Sequence, residues 1–327
     1  SSHEGRFQSV LKYMIRISIG LAQKRQSTHH IPYLGFISLL TIMNSIELSK
    51  DTLMRISIFV VIYTVLGLLI PIQGYVSLSF AIGTVITAIL YGFVLYYMNT
   101  NISLGRKARI LITWIAVYVI QMLNPVLEGI FFTTQFEAQP ELAFGAVVFG
   151  LVLTLPTALV AGVLFSPKGA VTSFDQLRKE YFTGWTSTQF AARFIIASML
   201  WLVIYYTIGN IIAPLVLPYY TEGSVGYDLN LPSIEVVILL QTIRGFIYVL
   251  SVLPIVISVN LEKRSLGMVL VSLLYIAGAL AIFVISDQFP AFLRIVHGIE
   301  LFVDSLIAGI VISYLLGKPK ESPLGLE

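Results

Sequence analysis

The chain alternates long apolar runs with short polar breaks, and the runs are continuous, without the every-second-residue polarity of a membrane β-strand. Taking about 20 apolar residues as one membrane span, the pattern predicts eight spans. They lie near 54–72, 80–98, 108–131, 142–165, 191–215, 234–258, 266–286 and 291–316. Each must be helical, because lipid satisfies no backbone polar group. The expected fold is an all-α polytopic bundle with five segments. These are a cytoplasmic N-terminal region (1–53), a first four-helix half (54–165), an amphipathic linker (166–190), a second four-helix half (191–316) and a cytoplasmic tail (317–327).

Two further stretches have helical periodicity but a polar face. Phe7, Leu11, Met14 and Ile15 recur beside Lys12 and Arg16, and Phe174, Leu177, Tyr181 and Trp185 recur beside Arg178 and Lys179. Both read as interfacial helices on a basic membrane surface, or equally as helices packed on the underside of the protein. The run 31–46 is short for a span, so a re-entrant or interfacial segment is expected there; if it crosses, the N-terminus changes sides.

Composition agrees with lipid as the solvent: 57% of the 327 residues are apolar and 11% charged, against roughly 25% charged in a soluble domain. The net charge of +3 does not indicate nucleic acid, since the basic residues are scattered between apolar runs. Their placement reports orientation. Arg6 through Arg55, then Arg106, Lys107 and Arg109, then Lys168, Arg178, Lys179 and Arg193, then Lys263 and Arg264, and finally Lys318 and Lys320 all fall on one side of an eight-span topology. The opposite loops hold Glu128, Glu137, Glu141, Glu222, Asp228, Glu235 and Asp287. By the positive-inside rule both termini are cytoplasmic, in a plasma (inner) membrane. Eighteen of the 20 lysines and arginines obey it; Arg244 and Arg294 do not.

A repeat is hinted at by short matches in shared order. Ser49 and Arg55 are spaced like Ser187 and Arg193, and Val61-Ile62-Tyr63 leading to Gly67 matches Val203-Ile204-Tyr205 leading to Gly209. Gly92-Phe93 matches Gly245-Phe246, and Ala158 to Gly162 matches Ser305 to Gly309. Halves of four spans would have parallel topology about an axis along the membrane normal. The small pairs Ala158/Gly162 and Ser305/Gly309 are expected to be close-packing positions.

The two arginines that break the rule lead to the candidate chemistry. Span eight carries Arg294, His297, Glu300 and Asp304; the last three fall within an arc of about 60°, with Arg294 flanking them, on a helix entered from outside. Arg244 lies at comparable depth in span six, where an unpaired guanidinium would cost at least about 2.5–3.5 kcal/mol and cannot shed its proton. Asp304 or Glu300 is its natural partner by depth, with Gln241 one turn away. Span three adds Gln121, Asn124 and Glu128 on one face around Pro125, whose missing N–H strands the carbonyl of Gln121. A buried ion pair that only fixes helix register is the bland reading, and the surplus of two carboxylates and a histidine argues past it. Pro156 and Pro254 need be no more than kinks. Pro71, Tyr75, Pro214, Pro218, Tyr219 and Tyr220 read as outer-surface anchors or as a lid.

Without cysteine there is no thiolate ligand, iron–sulfur centre or cysteine nucleophile. A metal held by His297, Glu300, Asp304 and Glu128 lacks the matching motif that paired iron sites show, so no metal is expected, and no cofactor can be named. There is no His-Glu-x-x-His, nucleophile elbow or phosphate-cradling glycine loop.

Three functions compete. The first is a transporter or channel for a small solute or ion, proton-coupled through Glu300, Asp304 and His297 with Arg244 as fixed counter-charge, its partners being the bilayer, the solute or a proton, and a second copy in a homo-oligomer. The second is a transmembrane sensor whose cytoplasmic domain would follow the short tail. The third is an enzyme acting on lipid or quinone at the Arg294–His297–Glu300 mouth. The chain starts at Ser1 with no cleavable signal ahead of span one, which reads as a trimmed or processed N-terminus.

Overall fold

A computed structural model describes residues 49–69, 76–132, 139–221, 232–284 and 289–318. The first amphipathic stretch, the run 31–46, and Pro71, Tyr75, Glu137, Glu222, Asp228 and Asp287 lie outside them. Among the described residues the fold is all-helical, with eight helices long and apolar enough to cross a membrane. In chain order these are α1 (Lys50–Leu69), α2 (Leu78–Asn101), α3 (Arg106–Phe132), α4 (Pro140–Leu164), α6 (Ser187–Thr221), α7 (Ile234–Ser258), α8 (from Lys263) and α9 (Ala291–Leu316). A short α5 (Phe174–Thr183) lies between α4 and α6. Large apolar residues stay exposed on the outer faces, Leu78 at 79% and Ile211 at 69% among them, which is compatible with a membrane around the bundle.

Local chemistry sets the helix ends close to where hydropathy placed them. Ser77 caps α2 by accepting from the Phe80 amide at 3.0 Å, and Pro140 opens α4 at a position where its missing N–H is no loss. The main departure is α6, which runs for 35 residues through Pro214 and Pro218. At 1.5 Å per residue it is about 52 Å long and outreaches a hydrocarbon core of about 30 Å.

One end of the bundle gathers the basic residues and ties the chain together. Ile102 pairs with Val259 and Leu104 with Thr172 in isolated bridges, and the Asn260 amide donates to the Asn101 carbonyl at 2.8 Å. Several cations there cap helix C-termini, whose last carbonyls lack intrahelical donors. Arg55 donates to the Leu164 carbonyl at 2.8 Å and Arg109 to the Phe165 and Gly162 carbonyls at the end of α4. Arg193 donates to Leu315 at 3.2 Å and Lys263 to Tyr314 at 3.1 Å at the end of α9. The residues that signalled orientation in the sequence are thus also structural.

Helix α5 settles on this end. Leu177 and Tyr181 are buried, and the Tyr181 hydroxyl donates to the Leu316 carbonyl at 2.7 Å, so the apolar face covers the bundle rather than lipid. Burial pushes the Tyr181 phenol well above its ordinary value. On the exposed face, hydrogen bonds from Lys179 and Arg178 hold the Asp175 carboxyl below its ordinary value.

Helices meet most closely at glycine. A Cβ at Gly92 would sit 3.3 Å from Ile56 and Phe59 of α1, and one at Gly245 would collide with the Ser198 carbonyl of α6 and lie 2.9 Å from the Trp201 Cβ. At Gly162 it would collide with Ile110 of α3, and at Gly309 it would lie 2.5 Å from the Val271 amide nitrogen of α8. The expectation for Gly162 and Gly309 holds, and the same device joins α1 to α2 and α6 to α7.

Two helices widen locally. Val119–Leu123 of α3 forms a π segment immediately before Pro125, whose ring would otherwise press on the Gln121 carbonyl. Ile276–Val284 continues α8 in the same wide form, and Gly278 there approaches Ile120 of α3, where a Cβ would be 3.3 Å from Cγ2. The two π segments therefore pack against each other.

Placing a side chain into these contacts should be costly in proportion to how little can move. Gly245→Val faces backbone and is expected to lower stability by about 1–3 kcal/mol, the usual effect of overpacking. Gly145→Ala, with nothing within 4 Å, should leave the melting temperature in detergent unchanged. Equal melting temperatures for both variants would contradict the packing described.

Candidate functional site

The polar residues singled out on α3, α7 and α9 converge in the half of the bundle away from the basic end. Arg244 is 3% exposed, and its Nη1 donates to Glu128 Oε1 at 2.6 Å and to Gln241 Oε1 at 3.0 Å. The same Gln241 oxygen accepts from Trp201 Nε1 at 3.1 Å, and the guanidinium carbon lies 5.9 Å from the Trp201 ring centre. The Tyr248 hydroxyl hydrogen-bonds with Arg244, and its ring packs against Trp201 with centres 4.4 Å apart.

Depth along the helices favoured Asp304 or Glu300 as the acid for Arg244; the partner is Glu128. Side chains on a helix lean toward its N-terminus, which carries the Arg244 head from mid-helix toward the last turns of α3 where Glu128 stands. Asp304 interacts electrostatically with Arg244, Glu128 and Glu300, but its Oδ1 accepts no hydrogen bond although the residue is 2% exposed. On α9, His297 Nδ1 and Glu300 Oε2 are 2.5 Å apart, one turn above Asp304. Arg294 turns away from the pair, donating to the Val284 carbonyl at the end of α8 at 3.4 Å.

The face proposed for α3 does not hold as one unit. Gln121 hydrogen-bonds with Tyr63 of α1, while Glu128 reaches α7. The π turn between them adds a residue to the helical turn and swings Gln121 off the Glu128 face. Asn124 stays one α-turn from Glu128, fully buried, and neither amide atom has a partner. Gln241 Nε2 and Arg244 Nε are also buried without a partner. Buried polar atoms left unpaired carry a penalty of about 1–3 kcal/mol each, which sets this region apart from the satisfied core around it.

Beside the cluster, at the acidic end, lies a cavity of about 450 Å³. Its walls come from the end of α3, the start of α7 and a long stretch of α6, and they are mainly apolar: Phe132, Ile212, Val216 and Val237. Its polar features are His297, Glu300, Asn210 and the Tyr205–Tyr206 pair, whose rings meet edge to face at 5.9 Å. Gly209 of α6 faces the acid: a Cβ there would come into ordinary contact with Glu300 Oε1, at 3.9 Å. Trp201, Asn210 and Tyr248 were not singled out in the sequence, and Tyr205 and Gly209 were noted only as repeat positions, because an aromatic in an apolar run looks like any other packing residue.

Among the described residues, no group of three or more His, Asp or Glu is arranged to hold a metal ion. Compared with known proteins, the chain matches no family model, no curated protein and no solved structure.

Because Arg244 is buried and the Glu128 side chain is 33% exposed, the pair should respond unequally to losing either member. Glu128→Gln strands a buried cation and is expected to cost about 3 kcal/mol, whereas Arg244→Met leaves a carboxylate with access to solvent and should cost less. The double variant should regain most of the loss. Melting temperatures of the three proteins test this; recovery with Asp304→Asn in place of Glu128→Gln would reassign the partner.

Proposed function

We propose that this protein is an integral membrane transporter for a small solute, coupled to proton movement through the cluster of Glu128, Arg244, His297, Glu300 and Asp304. The observation that carries the reading is the surplus of ionisable groups beside a cavity: Arg244 is paired with Glu128, and Asp304 and the His297–Glu300 pair stand next to them in a bundle with apolar outer faces. A register-fixing pair would need a single acid. Ionisable groups in such a position mark substrate and proton routes far more often than they stabilise a fold.

The orientation that goes with this reading puts the basic end in the cytoplasm and opens the cavity outward. We take 54–165 and 191–316 as two parallel four-helix repeats, and several paired contacts favour it. Arg55 caps α4 as Arg193 caps α9, Gly92 packs on α1 as Gly245 packs on α6, and Gly162 meets α3 as Gly309 meets α8. The π segments fall on α3 and α8, corresponding helices in this scheme, and pack against each other. Wide turns at a contact between repeats are a natural place for one half to rock against the other, as alternating access requires.

Flux in proteoliposomes tests the transport reading. Under an imposed proton gradient, wild-type protein should move protons together with a solute, and Arg244→Gln and Asp304→Asn should each lose that flux at least about tenfold while remaining folded. Full flux in both variants would refute it.

A further inference from the structure

The cavity beside the cluster is specific enough in its chemistry to indicate a ligand class. We infer that it binds a compact organic cation, an ammonium group carrying an apolar body, with Glu300 as the counter-charge; this rests on the transport reading only in naming the ligand as the solute carried. A volume of about 450 Å³ lies toward the small end of the roughly 300–1,000 Å³ of ligand pockets. Four features favour a cation over an anion or a neutral molecule.

The first is net charge. Arg244 is already committed to Glu128, so Glu300 is left to be matched by His297, with which it pairs, or by a ligand. Second, Glu300 is 6% exposed and still lines the cavity, whereas Arg244 does not, so an entering molecule meets the acid and not the guanidinium. Third, Tyr205, Tyr206 and Phe132 supply aromatic faces near that acid, the combination of carboxylate and ring that recognises ammonium groups. Fourth, Pro214 offers no N–H to the Asn210 carbonyl, which leaves an extra acceptor on the helix that forms the wall. The apolar remainder of the lining, Ile212, Val216 and Val237, suits the hydrocarbon body of the ligand.

Equilibrium binding to the purified full chain in detergent tests this, with three probes of one scaffold and different charge. Benzyltrimethylammonium is a permanent cation that cannot donate a proton, neopentylbenzene is its isostere with carbon in place of nitrogen, and phenylacetate carries the opposite charge on the same benzyl scaffold with a smaller, planar head. The cation is expected to bind saturably and roughly tenfold or more tighter than either comparator. Glu300→Gln should weaken the cation about tenfold without weakening neopentylbenzene. Gly209→Leu, which adds bulk beside Glu300 and changes no charge, should abolish binding of the cation while keeping the wild-type melting temperature. Equal binding of neopentylbenzene, tighter binding of phenylacetate, or indifference to both substitutions would overturn the inference. Binding of the cation without any flux would sink the transport reading and leave this one standing. Flux of a different solute without cation binding would do the reverse.

Discussion

In an apolar solvent, burying leucine against leucine gains almost nothing over leaving it in lipid, so the ordinary driving force for packing helices is missing. Contact has to come from surfaces that fit closely enough for dispersion to act between backbones. Here that closeness is concentrated at Gly92, Gly162, Gly245 and Gly309, where a methyl group would press on or collide with the neighbouring helix. Each joins one helix to another, α2 to α1, α4 to α3, α7 to α6 and α9 to α8. Fixing these four pairs fixes the faces that the remaining residues present, and the polar cluster is a consequence. Gly245 is next in sequence to Arg244, so the contact that seats α7 against Trp201 also sets the guanidinium near the indole ring and its Gln241 neighbour.

The same solvent makes charge expensive, and this gives the ion pair its meaning. A guanidinium cannot neutralise itself by losing a proton, so α3 had to supply Glu128 once α7 carried Arg244. That requirement ends with one acid. Glu300 and Asp304 are further carboxylates at a depth where each must be protonated, paired with a cation or hydrogen-bonded. His297 meets the need of Glu300 in part, and Asp304 Oδ1 has no hydrogen-bond partner at all. A site in this condition is responsive: any proton or cation that enters changes its energy more than it would in a satisfied core.

Hydropathy alone located all eight helices, because lipid allows only one backbone solution and the breaks are marked by Ser77, Pro140, Gly317 and clusters of charge. The residues of the cluster were legible too, since an ionisable group inside an apolar run stands out wherever it points. What could not be read was which of them touch. Pairing Arg244 with Asp304 or Glu300 assumed that depth along the axis decides contact, while side-chain lean moves a long arginine by more than a turn. Grouping Gln121 with Glu128 assumed a regular 3.6-residue helix, and the π turn before Pro125 broke that assumption. The role of α5 was evenly divided in the sequence because a buried apolar face has the same periodicity whether lipid or protein covers it.

The cavity belongs to a third category, set by what α6 leaves out. This helix passes through Pro214 and Pro218, carries Gly209 opposite Glu300, and extends well past the hydrocarbon thickness. Pro214 leaves the Asn210 carbonyl short of a helical donor, while α6 itself packs on α9, with Val216 against Leu293 and Val296 and the Tyr219 ring stacked on Phe292. A leucine at residue 209 would place its side chain beside Glu300, where a Cβ already comes within 3.9 Å of the carboxylate, and would take up space that the cavity now leaves open. A sealed Glu300 would be hard to justify energetically, since the ion pair of α3 and α7 is complete without it. Under the proposed function the empty space and the surplus acid explain each other: a solute that enters the cavity would meet the Glu300 carboxylate, and the acid would gain a partner from it.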